Sequence, residues 1–186
     1  MKCRNCKQAL TNPNRRPFEV WCSSDCAVAI WRAKEAKKQA QELRKRREAI
    51  KPRAQWMKEA QTAVNAWVRY RDRDLPCISC GRMHLGQWHA GHYLSTGARP
   101  ELRFDESNIH KQCSACNTHL SGNLVLYRAE LIRRIGLEEV ERLEGPQAPK
   151  KYTIPELKAI RDDYKARLKA SAGTMGCHPP VHRDDR

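Results

Sequence analysis

The chain is poor in aromatic residues and poor in acid. Phe, Trp and Tyr together make up 6% of its 186 residues, and 21 Asp and Glu stand against 36 Lys and Arg. So few large apolar side chains, with a mean hydropathy of −0.82, exclude one large apolar core and suit one or two small domains. No apolar run approaches the ~20 residues of a membrane-spanning helix, which excludes an integral membrane helix. The opening Met-Lys-Cys carries no apolar secretory stretch, so the nine cysteines are not read as an extracellular disulfide scaffold. A reducing cytoplasm is the expected compartment. The shortage of acid leaves a net charge of +15 and a pI near 9.7. A surplus this large points to a polyanion, because neutralising phosphates releases their counterions. The basic residues are concentrated rather than scattered, which favours nucleic acid over a merely solvated surface.

Eight of the nine cysteines fall in close pairs, and Cys177 is left over in a polar tail. Cys3-x-x-Cys6 and Cys22-x-x-x-Cys26 flank a basic loop, the spacing of a four-cysteine zinc ribbon or treble-clef knuckle. The segment has too few apolar residues for a core, so a metal-dependent fold is expected. Cys77-x-x-Cys80 and Cys113-x-x-Cys116 make a second set of four thiolates. That set is a closed tetrahedral site, which clamps the ends of the intervening segment and cannot activate water.

Between the first and second cysteine groups the sequence predicts two helices. Ala27 to Ile50 is built from strong helix formers with no Gly or Pro inside. It carries a thin stripe of Ile30, Ala36, Ala40, Leu43 and Ile50. Arg32, Lys34, Lys37, Lys38, Arg44, Lys45, Arg46 and Arg47 make it a candidate phosphate-contacting arm, with Glu42–Arg46 as an expected ion pair and the stripe as a candidate dimer seam. Pro52 ends or kinks it. From Ala54 to Tyr70, Trp56, Ala60, Val64, Trp67 and Val68 share one face and read as core rather than as stacking platforms.

The centre is short in regular structure: a strand at Trp88 to Leu94, a loop at Gly97 to Glu101, and helix from Asn117, interrupted by Ser121-Gly122-Asn123. Beyond it come the segment Leu137 to Leu143, a Gly-Pro joint at 145–149, and a helix from Ile154. That last helix is opened by the capping box Thr153-x-x-Glu156, with Leu157, Ile160, Tyr164 and Leu168 on its apolar face. The tail is rich in Gly, Pro, His and charge and is expected to be disordered.

His92, Asn108 and Asn117 fall in the order His…Asn…Asn, with Asn117 directly after Cys116. This resembles the His-Asn-His, or ββα-metal, nuclease superfamily in the variant with asparagine as the last residue. Paired Cys-x-x-Cys knuckles around the motif look like endonuclease VII-type junction resolvases. The string Gly91-His92-Tyr93…Asn108-Ile109-His110…Cys113-x-x-Cys116-Asn117 with Ser121-Gly122-Asn123 is closer still to the NinG/Rap recombination endonucleases of lambdoid phages. The resemblance runs to about residue 172.

What it implies is an α+β, mostly helical chain. Its parts are an N-terminal zinc knuckle (1–30), a basic helical region (31–75), a zinc-braced ββα-metal core (76–135), C-terminal helices (136–172) and a disordered tail (173–186). The implied activity is metal-dependent hydrolysis of branched recombination intermediates, Holliday junctions and D-loops, in the host cell cytoplasm. His92 corresponds to the general base, Asn108 to the residue that pins the loop, and Asn117 to a ligand of a catalytic Mg²⁺ or Mn²⁺. Two structural zinc ions accompany it. Implied partners are branched DNA, a second copy of the chain, and other phage or host recombination proteins. The family's metal-binding aspartate before the base is here Gly91, which leaves His89, or less favourably Asp105, to supply the second contact. An imidazole there shifts preference toward Mn²⁺. His84, His110 and His119 are assigned no catalytic role. A non-catalytic zinc-containing DNA-binding accessory protein accounts equally for the charge and the cysteines, and a sequence-specific nuclease of the same superfamily is a further alternative. Neither requires branched substrates.

Overall fold

The computed structural model describes residues 1–12, 14 and 16–173. The expectation of a disordered tail, and Cys177 with it, lies from residue 174 on outside the described residues. The chain divides into two compact units, Met1–Lys51 and Pro52–Arg186.

In the first unit the described residues before Ser24 form no helix and are tied by a bridge between Lys2 and Ala9 and by the amide of Arg4 bonding Val20 O at 2.9 Å. Helix α1 follows over Ser24–Ala49. It starts three residues before the expected Ala27 because Ser23 caps it, its hydroxyl accepting from the Cys26 amide at 3.3 Å. Cys26 thereby sits in the first turn and is the helix's buried residue. The stripe is not packed: Leu43 is 50% exposed and Ile50, just past the end, is 82% exposed. Glu42 meets Lys45 at 3.1 Å, one residue short of the expected Arg46.

The second unit is built around a two-stranded antiparallel hairpin, β1 (Trp88–His92) and β2 (Ile109–Cys113), with His89 opposite Gln112, Gly91 opposite His110 and His92 opposite Ile109. A lone hairpin is marginal in water, and here both faces are covered. Alternation sends Ala90 and Ile109 to one face, which packs on α2 (Arg53–Arg71) and α5 (Ile154–Gly173) through Trp56, Ala60, Val64, Val68, Leu157 and Tyr164. It sends Tyr93 to the other, against Tyr127 and Leu131 of α3 (Leu124–Ile135) and Val140 and Leu143 of α4 (Leu137–Glu144). β1 stops at His92, short of the expected Leu94, because the Leu94 amide leaves the ladder and bonds the Asn108 side chain at 2.8 Å. A 3₁₀ turn at Pro100–Leu102 closes the following loop.

The helix expected from Asn117 is split. A wide π-helical turn covers Ala115–His119, and Ser121, Gly122 and Asn123 all take positive φ (48°, 89° and 46°), so no right-handed helix continues through them. At α5 the capping box forms in both directions: the Thr153 amide donates to Glu156 at 2.7 Å and the Glu156 amide to Thr153 Oγ1 at 3.4 Å. No helix among the described residues is long and apolar enough to cross a membrane.

Candidate functional site

Both cysteine groups close up. The sulfurs of Cys3, Cys6, Cys22 and Cys26, and likewise those of Cys77, Cys80, Cys113 and Cys116, lie within 4.8 Å of one another. Four sulfurs at about 2.3 Å from a central ion span such a distance, so both sets suit a structural zinc. In the second set burial pushes the Cys116 thiol up to about 12. Burial also acts to raise Cys77, but amides of Cys113, Cys80 and Ser79 prevail and hold it below the ordinary thiol range. The thiols are pushed apart because burial disfavours each thiolate while backbone amides reach only some of them, and a bound cation favours the thiolate of all four. His84 Nε2 stands 3.3 Å from Cys80 Sγ, so this histidine braces the cluster.

Cys113 is the last residue of β2 and Cys116 lies in the π-turn, so the second cluster fastens the hairpin to the segment that carries Asn117. The Asn117 amide oxygen lies 3.1 Å from the point where Gly91 would carry a Cβ. His89 shares that hairpin face, two residues along β1, and its Nε2 is buried without a partner. Gln112, directly opposite His89, fills the same space: its Oε1 is 2.1 Å from the Gly91 Cβ position and is also unpartnered. Sequence reasoning missed Gln112. The one signal for it was Gly91, whose missing side chain leaves room that another residue must fill.

His92, next in the chain, points to the other face of the hairpin but sits at the same strand end as Gly91. Its Nε2 meets the Arg103 carbonyl at 3.0 Å. A carbonyl only accepts, so Nε2 carries the hydrogen and Nδ1 keeps a free lone pair. Burial holds the His92 imidazole below its ordinary value. Asn108 is fully buried. Its Oδ1 accepts from the Leu94 amide, and its Nδ2 donates to the carbonyls of Leu94 at 3.0 Å and Leu102 at 3.2 Å. It staples the two ends of the loop that presents Arg103. Asp105 is otherwise engaged: Oδ1 accepts from the Ser107 amide at 2.9 Å and Oδ2 pairs with Arg142 at 2.8 Å. His110 is buried against Tyr127, whose hydroxyl donates to Gly91 O at 3.0 Å and so fixes the glycine's backbone.

Arg32, Lys34, Lys37, Lys38, Arg44, Lys45, Arg46 and Arg47 are all exposed on α1. Trp31, 62% exposed, adjoins Lys34, Lys37 and Lys38 along a shallow groove.

A cysteine-clamped hairpin backed by a helical segment, in a chain of +15 net charge, defines a metal-braced protein suited to a polyanion such as nucleic acid. A family model described as Bacteriophage Lambda NinG protein matches residues 1–173. The chain is 49% identical over 167 residues to protein ninG of Escherichia phage lambda, covering 80% of this chain and 82% of that protein. It is 48% identical over 167 residues, with the same coverage, to protein ninG of Salmonella phage P22. To protein ninG of Enterobacteria phage H19B it is 54% identical over 190 residues, covering 90% of this chain and 92% of that protein. No solved structure matches. The chain therefore belongs to the NinG/Rap family of phage recombination endonucleases, which act on branched DNA.

Proposed function

We propose that residues 76–135 form a zinc-braced ββα-metal nuclease core that hydrolyses phosphodiesters at Holliday junctions and D-loops, leaving 5′-phosphate and 3′-hydroxyl ends. Residues 1–30 are then a second zinc knuckle, and α1 is the arm whose eight basic residues contact phosphate. The observation that carries this reading is the placement of two groups by one strand end: the imidazole of His92, locked on Arg103 O, and the amide oxygen of Asn117, beside Gly91.

His92 takes the proton of the attacking water at Nδ1. Its depressed pKa keeps the imidazole neutral at pH 7, the state a base requires. Asn108 holds the loop whose carbonyl orients that ring. Asn117 and His89 offer an oxygen and a nitrogen to a divalent cation, Mg²⁺ or Mn²⁺, a donor set supported by the buried, unpartnered Nε2 of His89 and by the Asn117 oxygen beside Gly91. When bound, that cation supplies positive charge to the phosphate and leaving oxygens. Cutting a junction in pairs needs two such sites, so the working form is a symmetric dimer, with the exposed stripe of α1 as its seam.

The test is a nicking assay on a synthetic four-way junction and a matched linear duplex with Mg²⁺ or Mn²⁺. His92→Ala should lower junction cleavage by about 10²–10⁴-fold while a mobility shift shows binding retained. Cleavage by the variant at the wild-type rate refutes the assignment. Equal cutting of duplex and junction refutes the branched substrate.

A further inference from the structure

Gly91 stands where the resemblance leads one to expect a metal-binding aspartate, and the space of the missing side chain is not empty. The Gln112 side chain reaches across from β2 and puts Oε1 2.1 Å from the Gly91 Cβ position, with Asn117 Oδ1 3.1 Å from the same point. Gln112 is fully buried. Its orientation is set by chemistry: Nε2 donates to Gly122 O at 2.5 Å and to Ser79 Oγ at 2.6 Å. The Ser79 hydroxyl passes its own hydrogen to Gly122 O at 3.1 Å. Gly122 O is an acceptor, so it demands the NH₂ end, and the oxygen must face Gly91. That oxygen has no donor.

Two carboxamide oxygens thus lie 2.1 and 3.1 Å from one point, and His89, opposite Gln112 on the same hairpin face, has a buried Nε2 without a partner. A buried carbonyl oxygen without a partner costs about 1–3 kcal/mol. Gln112 Oε1 is such an atom, and a second carboxamide oxygen near it, that of Asn117, adds repulsion unless something positive lies between. Hard divalent cations bind such oxygens at about 2.0–2.6 Å.

We propose that Gln112 is the missing metal ligand: its Oε1 replaces the carboxylate that position 91 lacks and, with Asn117 Oδ1 and His89 Nε2, completes a cation site of three neutral donors. This rests on the nuclease reading of the hairpin. Gly91 and Gln112 are then a matched pair, since any side chain at 91 collides with the Gln112 amide. A neutral donor set binds its ion less tightly than one with a carboxylate and leaves the full charge of the ion for the phosphate.

The experiment is a titration of the zinc-loaded full chain with Mn²⁺, reading free Mn²⁺ by electron paramagnetic resonance, with zinc content and circular dichroism as folding controls. Gln112→Ala should weaken Mn²⁺ binding tenfold or more, and Gln112→Glu, which adds the charge, should strengthen it by a similar factor. Gly91→Asp combined with Gln112→Ala should recover the loss. If Asn117→Ala loses Mn²⁺ while both Gln112 variants bind like wild type, the Gln112 assignment is wrong and the site stands without it. Should wild type and Asn117→Ala take up no Mn²⁺ alike, the metal-nuclease reading itself fails. If Gln112→Ala does not fold, Gln112→Glu decides alone, and an unchanged affinity overturns the proposal.

Discussion

Asn108 makes three hydrogen bonds from a site with no solvent access, and all three hold the loop from Leu94 to Leu102. Asn108→Ala should cost about 1–3 kcal/mol, because the amide and carbonyl of Leu94 lose their partner, while the Leu102 carbonyl keeps the Asp105 amide. It should also slow junction cleavage, since Arg103 O no longer has a fixed place from which to orient His92. Thermal melting and single-turnover rates check the two parts. At this scale the motif residues were legible from their order in the chain, because Asn117 adjoins a cysteine pair and His92 stands at a strand end. Gln112 was not. Its importance arises from cross-strand register, from the absence of a Cβ at Gly91 and from the carbonyl of Gly122, none of which a linear pattern reveals.

The elements are joined by a buried ionic knot where α2 ends. Asp72 accepts from the Lys111 amide of β2 at 2.9 Å and from Arg71, whose guanidinium also donates to Ile109 O at 2.8 Å. Burial acts to raise the Asp72 carboxyl, but Arg71 and the Lys111 amide outweigh it and hold it below the usual carboxylate range. Its stabilisation is therefore complete above the unfolded pKa of about 3.9 and is lost as pH falls through the lower folded value. Asp72→Ala should destabilise the second unit by about 3 kcal/mol at pH 7, the lower end for a broken buried pair because Arg71 is partly exposed. The deficit should shrink in acid, as urea melts at pH 7 and below pH 3 would show. Helix positions followed from composition and capping, Thr153 and Glu156 most directly. The ends that departed did so for local reasons: Ser23 starts α1 early, and Asn108 draws Leu94 out of β1. The knot itself joins residues far apart in sequence, so no local pattern contained it.

For the whole molecule, charge and cysteine spacing were the most legible features, since neither depends on tertiary detail. The two cysteine sets predict that the purified chain carries two zinc ions. Cys113→Ser should remove one of them and abolish junction cleavage, as zinc analysis beside the nicking assay would show, because the end of β2 is then unfastened from the turn that carries Asn117. That double duty of Cys113 bears on how any metal-depletion experiment is interpreted. A strong chelator strips the thiolate-held ion together with the loosely held one, so a dead sample after such treatment says nothing about which ion cuts DNA. Adding back magnesium alone would leave the scissors without their rivet; zinc has to be restored first, and only then does the dependence on a second ion become measurable.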